Sequence, residues 1–159
     1  LEKHQGVQRR LEIKGKRDGI TVVDDYGHHP TEIKTTLKAA RESWPGRRLV
    51  VVFQPHRFTR TRALFDEFAR SFYDSDSLVV LPVYAAGERK IEGVESGTLC
   101  ESIMAHGHRE VVCKEDFDST VQYLRHHLKE KDLLLTLGAG DVHLIGTEVL
   151  ESLGGNQWR

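Results

Sequence analysis

Three features of this 159-residue sequence predict an α/β fold with a mostly parallel sheet and helices on both faces. Short β-branched runs alternate with segments of helical period, which calls for crossover connections and a sheet covered on both sides. The runs RLVVVFQ and SLVVLPVY are almost continuously apolar, as expected for strands buried on both faces. At the start, RRLEIKG and GITVVDD flank the turn-like KRDG, which predicts an N-terminal antiparallel hairpin or edge strand.

The remaining elements follow in order. Pro30 suits the first position of a helix and Glu32 its first turn. Ile33, Leu37, Ala40 and Trp44 then keep one buried stripe. Leu64, Phe65, Phe68 and Phe72 form a second stripe after RLVVVFQ. Leu99 and Ile103 mark a short helix that stops near Gly107. REVVC and DLLLTLG are two further strand candidates. Between them lies a helix carrying Phe117, Val121, Leu124 and Leu128, with Asp116 as N-cap. Val142, Ile145 and Val149 set the last helix, after GAGD. ERKIEGVES reads as an exposed loop and GGNQWR as a loose tail.

Composition narrows the function classes. Charged residues make up 30% and apolar ones 38%, and the net charge is -1 from 23 basic and 24 acidic side chains. A field so balanced supplies no general attraction to nucleic acid or anionic lipid. A nucleic-acid reading built on Arg47, Arg48 and the Arg57–Arg62 cluster is therefore disfavoured. Cys100 and Cys113 form no Cys-x-x-Cys pair, so neither a disulfide framework nor a thiolate metal site is expected, which fits a cytoplasmic location. No apolar run is long enough for a membrane span, and no signal peptide opens the chain. The chain lacks a starting Met and opens in mid-pattern, so a fragment of a larger protein is expected.

In a parallel sheet of this kind, ligands bind outside the carboxyl ends of the strands. The chemically loaded stretches fall there: DDYGHHP after ITVV, QPHRFTR after LVVVF, YAAGE after LVVLPV and GAGD after LLLTL. Arg57, Arg60 and Arg62 at a helix entry suit a carboxylate or phosphate, which Arg grips bidentately. A solvated basic turn is the equal alternative. His28 and His29 offer a base, a metal ligand or a carboxylate partner; a helix-entry turn that satisfies backbone groups is the alternative for either one. GAGD lacks the third Gly of a dinucleotide fingerprint, with His143 in its place. No two of the nine His stand three or four apart, and His126 and His127 diverge on a helix and read as surface residues, so no metal site is expected. Tyr84 and Glu88 reach the rim or simply end a strand. No Gly-x-x-x-x-Gly-Lys-Ser/Thr phosphate loop occurs.

Taken together, GVQRRLE, DDYGHHPTE, FQPHRFTRTR, VYAAGE and TLGAGD, in this order and spacing, resemble the C-terminal domain of the Mur ligase family, from about Gly6 to Leu153. The resemblance implies a Rossmann-like domain over residues 1–153, with 154–159 as a tail. It also implies N-terminal UDP-sugar and central ATPase domains that this chain lacks. The implied enzyme is an ATP-dependent carbon–nitrogen ligase of cytoplasmic peptidoglycan synthesis. Its partners would be L-alanine, ATP and UDP-N-acetylmuramate, joined through an acyl phosphate, with Mg2+ held mainly by the central domain. By resemblance, Arg10 reaches the ATP phosphates or ribose, and Asp25 binds the ribose or orients neighbouring donors. Tyr26, His28, Arg57 and Arg60 line the L-alanine site, with His29 and His56 beside them. No catalytic residue is fixed; His28 is the candidate proton acceptor. The fragment alone is expected to be inactive. Two other readings compete: the related murein-tripeptide recycling ligase, and a non-catalytic nucleotide- or anion-binding module with a flavodoxin-like sheet.

Overall fold

Six strands form one sheet in the order β1-β2-β6-β3-β4-β5. The computed structural model describes residues 9–153; the expected tail, 154–159, and residues 1–8 lie outside the described part. The strands are β1 (Glu12–Arg17), β2 (Ile20–Asp25), β3 (Leu49–Phe53), β4 (Ser77–Val80), β5 (Val111–Cys113) and β6 (Leu133–Leu137). Only β1 is antiparallel, paired with β2; β2, β6, β3, β4 and β5 run parallel. The hairpin turn is the two residues Asp18 and Gly19, both at positive φ (52° and 75°). That twist matches the flanking strands, and Asp-Gly is the pair that tolerates it.

The helices are α1 (Pro30–Ser43), α2 (Phe58–Ala63), α3 (Phe65–Ala69), α4 (Ser96–Ala105), α5 (Phe117–His127) and α6 (His143–Ser152). Strand alternation sends Val23, Val51, Phe53 and Leu135 to one face, where Ile33, Leu37, Phe68, Phe72, Leu99 and Ile103 cover them. Val22, Val50, Val52 and Leu134 face the other way, against Val121, Leu124, Ile145 and Val149. Burying each such side chain contributes about 1.5–3 kcal/mol. Gly146 lets α6 lie close on β2, because a Cβ there would stand 2.9 Å from Val22 Cγ1.

Several elements depart from expectation. The stripe Leu64–Phe72 is not one helix. Leu64, at φ -116° and ψ 22°, ends α2 and begins α3, and Phe72 lies past the end of α3. The apolar spacing runs on across this corner, so periodicity does not reveal it. SLVVLPVY is a strand only to Val80, with Pro82 beyond it. Asp116 caps α5 through Ser119 N at 2.7 Å. In the loop 88–96, Val94 is buried.

Of the two histidines expected at the surface, His126 is exposed and His127 is partly buried. The His127 ring contacts Ser77 Oγ at 3.0 Å and stacks on Tyr123, and Glu110 lies at 3.4 Å. Its carbonyl accepts from Arg48, whose guanidinium also forks onto Asp132 at 3.1 and 2.7 Å. Arg47 donates to Thr21 Oγ1.

Cys100 on α4 and Cys113 at the end of β5 are free thiols whose sulfurs approach to 2.9 Å. The hydrogen bond from Cys100 holds Cys113 below the ordinary thiol range. The same bond, with burial, pushes Cys100 up. Limiting iodoacetamide at neutral pH is therefore expected to label Cys113 well before Cys100, because the thiolate is the nucleophile. The labelling rate should level off below the usual thiol pKa of about 8.5. Equal labelling, read by peptide mass, would contradict this.

Candidate amino-acid and phosphate rim

Because β2, β6, β3 and β4 are parallel neighbours, the segments that follow them share one edge of the sheet. Strand β2 ends with Asp24 and Asp25, both buried and on opposite faces. Asp24 accepts from Thr136 Oγ1 at 2.7 Å and from Arg9 Nε at 2.8 Å. Arg9 continues to Gly138 O at 3.0 Å and lies over the Tyr26 ring at 5.1 Å. Asp25 accepts from Leu11 N, Gly27 N and Thr36 Oγ1 at 2.9, 2.8 and 3.2 Å. Burial pushes its carboxyl up, against the pull of those three donors. Its oxygens thus order the backbone around them. Arg10 is exposed, and with Asp25, Tyr26, Thr31 and Glu32 it borders a cavity of about 220 Å³.

The histidines divide by role. His29 is the N-cap of α1: its ring accepts from Thr31 N at 3.3 Å, and Glu32 returns the contact to His29 N at 3.1 Å. This is a capping box with His in the usual Ser/Thr place. His28 Nδ1 sits 3.0 Å from Tyr26 O. A carbonyl only accepts, so Nδ1 carries the hydrogen and Nε2 is left as the acceptor of the neutral ring. His56 Nδ1 faces Arg60 Nη1 at 3.3 Å, and His56 O accepts from the same nitrogen at 3.1 Å. Arg only donates, so His56 has the opposite tautomer. Burial, then His28, Arg60 and Arg57, hold the His56 pKa below its ordinary value, and the ring is neutral at pH 7.

These rings form a continuous row. Tyr26 meets His28 edge-on at 5.2 Å, His28 lies 5.9 Å from His56, and His56 stacks on Tyr84 at 5.3 Å. Tyr26 and Tyr84 are each more than a third exposed. Arg57 is exposed and sits at φ 75° and ψ 135°, a strained conformation for a residue with a Cβ. Such strain costs about 1–3 kcal/mol and persists only where the surroundings fix it.

The structure therefore brings Tyr26, His28, His56 and Arg60 together, with Arg57 on the same turn. Arg10 and Asp25 border the cavity that Tyr26 also lines, and His29 serves α1. Sequence reasoning did not assign Arg9, Asp24 or Gln54. Gln54 is buried after β3 and donates to Asp141 Oδ1, while its Oε1 has no partner among the described residues. Gly140 closes over that oxygen: a Cβ there would stand 2.6 Å from it. Among the described residues, no group of three or more His, Cys, Asp or Glu could hold a metal ion.

A mostly parallel six-stranded sheet with an Arg- and His-lined rim at its strand ends defines an α/β domain with its candidate site on that rim. The family model described as "Mur ligase, glutamate ligase domain" matches residues 9–140, and the chain belongs to this family. The chain is 61% identical over 153 residues to a UDP-N-acetylmuramate–L-alanine ligase of Desulforapulum autotrophicum. That match covers 96% of this chain and 34% of the relative, so the chain spans about a third of its length. Among solved structures, a UDP-N-acetylmuramate–alanine ligase of Thermotoga maritima superposes with a TM-score of 0.74 at 27% identity, over 91% of this chain and 29% of that one. A murein peptide ligase of Psychrobacter arcticus superposes with a TM-score of 0.75 at 26% identity, over 93% and 30%. The two folds fit equally well.

Proposed function

We propose that this chain is the amino-acid-binding domain of an ATP-dependent ligase that joins L-alanine to UDP-N-acetylmuramate in cytoplasmic peptidoglycan synthesis. The remaining domains of that ligase would hold the UDP-sugar, the ATP phosphates and Mg2+. The observation that carries this is 61% identity to an enzyme of that name across 96% of this chain. Fold alone does not separate the alanine ligase from the murein peptide ligase; the sequence similarity favours the former.

On this reading, Arg57 and Arg60 hold the carboxylate of alanine, with the Arg60 fork already set by His56. Holding the carboxylate fixes the amine, which turns a collision into a positioned attack on the acyl phosphate. The amine attacks the acyl carbon and loses a proton, and phosphate leaves. His28 Nε2, the acceptor nitrogen of the neutral tautomer that donates from Nδ1 to Tyr26 O, is the acceptor for that proton. Arg10, on its open cavity, reaches the nucleotide. Asp25 orients neighbouring donors, accepting from Leu11 N, Gly27 N and Thr36 Oγ1. Mg2+ finds no ligand cluster among the described residues, and no step here depends on it.

Calorimetry on the 159-residue chain separates this from a self-contained nucleotide module. ATP is expected to bind weakly, because the phosphate loop is absent from the sequence. Adding back the rest of the ligase should restore phosphate release that depends on both L-alanine and UDP-N-acetylmuramate. Tight ATP binding by the chain alone, or release independent of L-alanine, would overturn the proposal.

A further inference from the structure

Helix α2 begins without help from its own N-cap: Arg57 offers no side-chain cap to the first turn. The free donors of that turn need an acceptor from elsewhere. Glu88, on the loop after β4, supplies it. Its Oε1 accepts from Thr59 N at 3.0 Å and its Oε2 from Thr59 Oγ1 at 2.5 Å. We propose that Glu88 is a positioning residue for the amino-acid clamp, holding the strained Arg57 turn in register through Thr59.

Four hydrogen bonds join the two turns. Besides the pair to Glu88, Tyr84 N donates to Pro55 O at 2.8 Å and Arg57 N donates to Tyr84 O at 2.7 Å. The stacked His56 and Tyr84 rings lie between them. Both turns carry strain. Arg57 is at φ 75°, and in the turn Ala85–Glu88, closed by Glu88 N to Ala85 O at 3.0 Å, Ala86 is at φ 51°. Strained backbone survives where neighbouring contacts over-determine it. Glu88 acts through Thr59, the residue before Arg60. The bonds from Thr59 also hold its carboxyl below the usual range, so the acceptor is ionised at neutral pH.

The inference rests on the clamp reading above, and the test separates the two. In the full-length ligase, Glu88→Ala is expected to raise KM for L-alanine about tenfold, the loss of charge-assisted bonds to one residue. KM for ATP and for UDP-N-acetylmuramate and the melting temperature should stay near the parent values. Glu88→Gln should recover most of the loss, because the amide oxygen accepts from Thr59 N and the amide nitrogen donates to Thr59 Oγ1. Thr59→Ala combined with Glu88→Ala should be no worse than Glu88→Ala alone. If Arg60→Ala raises KM for L-alanine while Glu88→Ala does not, the positioning role is wrong and the clamp stands. If neither does, the clamp itself is wrong. A melting temperature lowered together with all three KM values would show a general structural role and overturn the proposal, as would Glu88→Gln behaving like Glu88→Ala.

Discussion

Replacing Arg60 with alanine in the intact ligase is expected to raise KM for L-alanine by roughly 30- to 150-fold, about 2–3 kcal/mol. KM for ATP should change little. The size follows from the geometry. Arg60 is half-buried, and its Nη1 is already committed to His56 O and Nδ1. A guanidinium held in this way meets a carboxylate without first being ordered. Arg57→Ala should act in the same direction, but the two backbones differ. Arg57 carries positive φ, and Ala inherits its strain, whereas Gly adopts that conformation freely. Arg57→Gly is therefore expected to melt no lower than the parent chain while losing the clamp. Steady-state kinetics with each substrate varied in turn, alongside thermal melts, check all three variants.

The second large effect is structural. Asp24 is a carboxylate only 1% exposed, with Arg9 as its charge partner. Removing Arg9 leaves Thr136 Oγ1 as the remaining side-chain donor to a buried charge. Breaking such a pair typically costs about 3–5 kcal/mol; Arg9 is itself 19% exposed, so the lower end, about 3 kcal/mol, is expected for Arg9→Ala. Arg9→Lys should fall between, since it keeps the charge and loses the fork that spans Asp24 and Gly138 O. Asp24→Asn added to Arg9→Ala should restore part of the loss, because no uncompensated charge remains. Urea unfolding checks this, with the midpoint moving and the slope constant. Additive losses in the double variant would contradict it.

The sheet was legible because its signal is local. Apolar runs such as LVVVF and LLLTL are buried on both faces at five of five positions, as their composition demands. Pro30 and Glu32 mark the start of α1, yet the cap is His29, a residue that sequence rules do not favour there. The corner at Leu64 was hidden because the apolar spacing continues across it. The burial of His127 and the approach of the two thiols were hidden for another reason. Their surroundings, Ser77, Arg48 and Glu110 in one case and the α4–β5 contact in the other, come from distant parts of the chain.

The rim was legible as a place, since strand direction alone brings the loaded loops to one edge. How the work is shared within each doublet was not. Arg9 and Arg10, or Asp24 and Asp25, are chemically alike, and only the pleat decides which side chain meets Thr136 and which meets Thr36. Gln54 carried no distinguishing sign, because its importance is a buried oxygen beneath Gly140.

One structure tests the central claim most directly: the complete ligase crystallised with UDP-N-acetylmuramate, a non-hydrolysable ATP analogue and L-alanine. The account places the alanine carboxylate on the guanidiniums of Arg57 and Arg60, with the amine turned past His28 toward the sugar carboxylate. Alanine bound at another surface, with both guanidiniums facing solvent, would contradict it.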